Sequence, residues 1–263
     1  MKTLRMNISR RGMTSMVSFL RVVFVLACII PQWVAAACDD APAPRVNWKD
    51  CDKSGADLRG VDLRGAILER ANLSGADLSG ANLRGAYLAK ADLSNTQLSG
   101  TKLIDANLVG ANLGEADLTR AFLVGASMNR VILVGATLTD ARLDKARLND
   151  GRLKGARLNG ASLSEARLER VDMSQADLSG ASLYQAILSE AVLEDAVLAG
   201  ADLSKAKLDD SFLVGADFSG ANLSHATLAG AEVIGTVFDE ARFDFTTWVD
   251  RRRCRSGSVG ECR

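Results

Sequence analysis

Few residues in this 263-residue chain are equipped for chemistry. His225 is the only histidine, and Ser224 stands beside it. A serine nucleophile needs a base that a third group orients within a cleft. An isolated Ser–His adjacency supplies neither. Asp57, Asp77, Asp117, Asp177 and Asp217 recur at multiples of 20 residues, a ladder that suits either a cation or a repeated turn. Five cysteines are present, Cys28, Cys38, Cys51, Cys254 and Cys262. There is no phosphate-binding loop, no dinucleotide fingerprint in a βαβ setting and no Gly/Asp nonapeptide for calcium. The expectation is therefore a protein without catalytic residues, cofactor or metal.

The elements that position these residues come from one repeat. From Ala56 to Phe243 a small residue recurs every five positions with an apolar residue two places later. Of 38 consecutive apolar sites, 32 are Leu, and the rest are Met128, Met173, Phe218, Val233, Phe238 and Phe243. The small site is Ala in 30 of 38, and no insertion breaks the phase. A period of five matches neither the 3.6 of a helix nor the 2 of a strand. On a helix, residues five apart would scatter the Leu over every face. The chain must instead turn once per repeat so that each Leu points at a common axis. Ser, Thr or Arg after the Leu, then Gly in many repeats, provide that turn; Gly75, Gly80, Gly85 and Gly100 are examples.

This pattern resembles the pentapeptide repeat family, with its A-[DN]-L-x-x motif, over about three-quarters of the chain. The resemblance implies an all-β fold, a right-handed quadrilateral β-helix with four pentapeptides per coil. Nine to ten coils at about 4.8 Å each would make a rod roughly 45 Å long. It also implies that the regular aspartates support turns rather than bind metal. Two functions are then in view. One is a non-catalytic scaffold in the bacterial envelope that binds another protein, which rests on the leader-like N-terminus, the end cysteines and the absence of chemistry. The other, implied by the resemblance, is the DNA-mimicking inhibitor of gyrase found among quinolone-resistance members, which are acidic dimeric rods.

The ends carry separate signals. Residues 1–37 read as a secretory signal peptide. Lys2, Arg5, Arg10, Arg11 and Arg21 precede the apolar run Val22 to Ile30, and cleavage is expected after Ala36 or Ala37. Nine apolar residues are too few to span a bilayer. Ser9-Arg10-Arg11 faintly resembles a twin-arginine signal, and a start downstream, near Met16, gives a more usual leader. Ala35-Ala36-Ala37-Cys38 resembles a poor lipobox, so the membrane enters only if Cys38 is lipidated. Export would place the protein in the periplasm or outside the cell and leave a chain of net charge −5 with four cysteines, Cys38, Cys51, Cys254 and Cys262. In an oxidising compartment these suggest disulfides. Pairing within each end is the simplest of three connectivities, and a zinc site built from all four cysteines is the competing reading. Exported members of the family are similar at both ends, with W-x-x-C before the repeats and a Cys pair after a Trp, as in Trp48-Lys-Asp-Cys51 and Trp248 before Cys254. Residues 38–55 read as an N-terminal cap, 56–250 as the solenoid and 251–263 as a C-terminal cap.

Lys plus Arg and Asp plus Glu number 32 each, a balance that argues against a uniformly basic nucleic-acid binder. The charge is nevertheless segregated. Residues 120–170 hold 10 basic and 5 acidic side chains, and residues 171–245 hold 3 and 13. Arg142, Arg147, Arg152 and Arg157 replace Asp or Asn on four successive sides. They suit an anionic partner, or else form a solvated surface interleaved with Asp140, Asp144, Asp150, Glu165 and Glu169. Val192, Phe212, Val214 and Ile234 would share one side of a 20-residue coil, with Ile132 and Val134 farther along it. That row is the candidate partner surface. Ile104, Val109, Phe122 and Val124 form a lesser group at another corner.

Overall fold

A computed structural model describes residues 37–263. The expected leader, residues 1–37, and Cys28 fall outside the described residues except for Ala37. In the described chain every repeat contributes one parallel bridge at the residue before the Leu, and each bridge joins residue n to residue n + 20. The ladder runs from Asn47↔Ile67 to Thr227↔Thr247 without a slip. Twenty residues in steps of five make four sides per coil, and the chain is a four-sided β-helix.

The backbone hydrogen bonds explain why a five-residue unit closes. At Arg147–Gly151, Arg147 N–H donates down to Ala126 O (3.0 Å), while Leu148 and Asp150 N–H donate up to Arg167 O and Glu169 O (2.7 and 3.0 Å). Gly151 N–H closes the corner by donating to Leu148 O at 2.9 Å. The residue two after the Leu adopts φ near +60° in every repeat, as at Arg70 (φ 56°) and Gly75 (φ 66°). Positive φ at the third position of a turn is the requirement of type II geometry. Glycine meets it without strain, although Arg, Asp, Glu and Lys take the same conformation here.

The fifth N–H, after the Leu, has no backbone partner, and the Asp or Asn before the Leu supplies one. Ser79 N–H donates to Asp77 Oδ1 (3.0 Å), Thr119 to Asp117, Ser179 to Asp177 and Ser219 to Asp217 (2.9 Å each). Arg59 N–H does so to Asp57 at 3.3 Å. The whole aspartate ladder is thus spent on Asx turns. Among the described residues no group of three or more His, Cys, Asp or Glu is arranged to hold a metal.

Leu and Ala point inward and are buried along the body. Thr96, Thr101, Ser211 and Thr246 sit on the small inward site and bond to backbone carbonyls. Thr101 Oγ1 donates to Leu78 O at 2.8 Å, and that carbonyl also accepts Ala81 N–H. Thr101→Val therefore leaves no unpaired group and is expected to cost about 1 kcal/mol or less in chemical denaturation.

The ends differ from the body. Trp48 is fully buried, and the ammonium of Lys53, which occupies an inward site, lies 4.3 Å from its ring centroid. Cys38 is joined to Cys51, and Cys254 to Cys262. A Cys38 held in that bond has no thiol to take a lipid. Phe238, Phe243 and Trp248 meet edge to face with centroids 5.1–5.5 Å apart, and Phe218 stacks on Phe238. Beyond Trp248 the chain reverses. Arg253 pairs antiparallel with Thr247 and Val259 with Arg242, which covers two sides of the final coil. This reversal leaves the five-residue phase and had no signal in the repeat.

Candidate functional site

Ser224 Oγ donates to Asn222 Oδ1 (2.7 Å), away from its neighbour, and His225 stacks on Phe245 with centroids 5.3 Å apart. Nucleophile and base are not assembled. The core between the sides is filled by Leu, so what this chain offers is its outer surface.

The surface arginines fall into two classes. Near the N-terminal end three of them hold carboxylates. Arg59 holds Asp57, Arg64 holds Asp62 and Arg70 holds Asp50, with N–O distances of 2.6–2.7 Å. The guanidinium bonds from Arg59, followed by its backbone N–H, hold the Asp57 carboxyl down to about 2. In the middle the acids are taken by other residues. Asp140 faces Arg120, Lys145 faces Glu165, Arg167 binds Glu169 and Arg170 binds Asp150. Among the described residues, Arg142 is the one belt arginine of the four that reaches a carboxylate, Asp144 at 3.8 Å. Arg147 and Arg157 reach hydroxyls, Ser127 Oγ (3.4 Å) and Thr137 Oγ1 (2.7 Å). Among the described residues Arg152 meets no carboxylate. The interleaved acids therefore do not neutralise the belt one for one.

These arginines also have a structural cost. An arginine only donates hydrogen bonds, so at positions 142, 147, 152 and 157 it cannot support the turn as Asp or Asn does. Asn149 N–H is rescued by Asn129 Oδ1 (3.2 Å). The N–H of Lys154 has no protein acceptor among the described residues. Arg152→Asn restores that acceptor and is expected to raise stability by about 0.5–1 kcal/mol, read as a shift in denaturation midpoint. The four belt arginines occupy four different sides, so one flat partner cannot engage them all.

The apolar row is brought together as its spacing implies. Val192 bridges Phe212, and the backbone bonds Asp195 N–H to Val214 O and Gly215 N–H to Ile234 O set Val214 and Ile234 on successive coils. Phe212 is 43% exposed and Ile234 68%. All lie on what we term the second side, the one carrying bridge residues Asp52, Asn112, Ile132, Arg152, Asp172 and Glu232. Arg152 thus joins the apolar row on one face, while Arg142, Arg147 and Arg157 do not. The lesser group divides: Ile104, Phe122 and Val124 share a side, and Val109 lies on the next. Sequence reasoning missed Lys154, Glu194 and Gly114, which stand in the row's second column; the same 20-residue count reaches them. It also missed Val197 and Val237, exposed on the adjoining side.

Comparison with known proteins finds the same repeat. The profile of pentapeptide repeats matches eight copies between residues 49 and 247. Among curated protein sequences none matches the chain. Among solved structures, HetL, a pentapeptide repeat protein involved in heterocyst differentiation regulation in the cyanobacterium Nostoc sp. strain PCC 7120, is 31% identical. That alignment covers 80% of this chain and 92% of HetL with a TM-score of 0.49. QnrB1, a plasmid-mediated fluoroquinolone resistance protein, is 20% identical over 72% of this chain and 89% of its own, with a TM-score of 0.42. Rfr23 from the cyanobacterium Cyanothece 51142 is 35% identical over 37% and 64%, with a TM-score of 0.24. Repeat phase, 20-residue ladder and profile coincide over the same residues, and this chain belongs to the pentapeptide repeat family, whose right-handed quadrilateral β-helix it adopts.

Proposed function

We propose that this protein is an exported, non-catalytic scaffold, a rigid rod of nine to ten coils capped at both ends that binds another protein in the bacterial envelope. The observation that carries this reading is the distribution of its cysteines. Four cysteines close two short disulfides, one at each end, and the 202 residues between them contain none. Such pairs persist in oxidising compartments, in keeping with the leader-like N-terminus. A Leu-filled core leaves no interior room for a substrate, and the reading assigns no cofactor. Among the described residues no helix is long and apolar enough to cross a membrane.

The acidic third, with 13 acids against 3 bases over residues 171–245, is the feature that favours the alternative of a DNA-like gyrase inhibitor. The arginine belt interrupts such a surface, and an exported protein would not meet gyrase. Fractionation of cells expressing the full chain with a C-terminal epitope tag separates the two readings. The scaffold reading expects a shortened product released with periplasmic markers; a full-length product in the cytoplasm would favour the inhibitor.

A further inference from the structure

We propose that the second side docks a second copy of this chain, the two rods lying antiparallel with Asp172 at the two-fold axis. The proposal rests on the scaffold reading and names the partner of that same surface. A closed pair related by a two-fold axis presents the same patch from both molecules, so the patch must complement itself. On this side each coil shows two columns of outward residues, one before the inward Leu and one after it. Successive coils are spaced by 20 residues in sequence and about 4.8 Å in space.

An axis running along the strands at the Asp172 coil sets each coil against the one equally far on the other side. Phe212 then faces the partner's Ile132, and Val214 faces the partner's Val134. Glu194 faces the partner's Lys154, and this pair occurs twice. Ile234, 68% exposed, faces the partner's Gly114, the one glycine in that column. Glu232 faces the partner's Asn112. The partner's Arg152 lies opposite Val192, one coil from Asp172. The two Asp172 carboxylates thus lie between two guanidiniums that, among the described residues, meet no carboxylate of their own chains. Apolar pairs, opposite charges and a protruding side chain over a glycine all fall into place from one axis.

Other placements fail on the same residues. An axis along the rod sets Arg152 beside the partner's Lys154 and Val192 beside the partner's Glu194. Moving the strand-wise axis one coil toward the C-terminus sets Asp172 against the partner's Phe212. The matched row, from the coil of Asn112 to that of Glu232, spans about 29 Å at the usual ladder spacing. A patch this narrow belongs among weak interfaces, so the equilibrium should be sought from about 1 μM to 1 mM.

Sedimentation equilibrium of the purified protein across that range tests the pairing. The expected result is a concentration-dependent monomer–dimer equilibrium. Lys154→Glu alone and Glu194→Lys alone should each weaken it at least tenfold, and combining them should restore it, because the crossed pair is re-formed with signs exchanged. Both positions are exposed, and the combined variant controls for folding. A monomer at every concentration, a dimer indifferent to the single reversals, or a combined variant no better than either single one would overturn the pairing. Those results leave the scaffold reading to its own test, since fractionation and cross-linking to a different protein do not depend on a second copy.

Discussion

Leu148→Asp is expected to unfold the middle of the rod, while Arg147→Asp, one residue away, leaves it folded. Leu148 is fully buried, and its coil stacks between those of Met128 and Leu168, which are equally buried. The substitution removes a Leu from a close-packed stack, which costs about 2–5 kcal/mol by itself. It also places a carboxylate where no cation or donor stands, adding several kcal/mol more or forcing the group to take up a proton. The expected loss is at least about 4 kcal/mol in chemical denaturation. Arg147 is exposed, and among the described residues its guanidinium bonds only Ser127 Oγ, so reversing its charge changes stability by less than about 1 kcal/mol. A substitution scan over residues 140–160 should find its intolerant sites at Leu143, Leu148, Leu153 and Leu158. Milder intolerance is expected at Ala141, Ala146, Gly151 and Ala156. A 3.6-residue period in the tolerated positions would be incompatible with the fold.

Replacing Cys254 and Cys262 by Ala is expected to lower stability by about 2–4 kcal/mol. The bond closes a loop of 8 residues in the segment that folds back over the last coil. That segment covers the backbone through Cys254 N–H to Thr246 O and Phe243 N–H to Ser258 O (2.9 Å each). Without the bond its ordering entropy is no longer offset in advance. The tail should detach first and uncover the Phe238, Phe243 and Trp248 cluster. Hydrogen exchange would show protection lost from the last coils inward, with the middle of the rod unchanged. If the chain is exported as proposed, thiol titration of the oxidised processed protein from the periplasm should find no free cysteine, and four free thiols there would rule out both disulfides.

Much of this architecture was legible before any coordinates. The five-residue phase named the inward residues one by one, because burial of Leu and Ala leaves no choice of face. The aspartate ladder also read correctly once tied to turns. Other features lie beyond a repeat. The antiparallel return of residues 251–263 obeys no period, and only pairing partners define it. Lys53 occupies an inward site that the repeat otherwise fills with an apolar residue, and its ammonium lies over Trp48, a contact that depends on the tryptophan's depth. The acids interleaved with the belt suggested neutralisation. In the structure four of those five acids are held by Arg120, Lys145, Arg167 and Arg170, only Asp144 pairs with a belt arginine, and which cation reaches which acid depends on side-chain direction rather than on counts. The apolar row was visible as a spacing, whereas its complement in Lys154, Glu194 and Gly114 required two columns to be read together.

If this protein acts through one face of an otherwise inert rod, site-specific photocrosslinking in living cells will reveal that face. A photoreactive residue would replace Val214 or Ile234 on the second side, and Ser54 or Ser219 as references. Ser54 lies on the same side outside the matched row, and Ser219 on the adjoining side. Products at about twice the mass of the chain are expected from positions 214 and 234, and none from the references. A product of another mass confined to 214 and 234 would keep the face and replace the second copy by a different protein. Products of equal yield at all four positions, or at none, would mean that no single face carries the function.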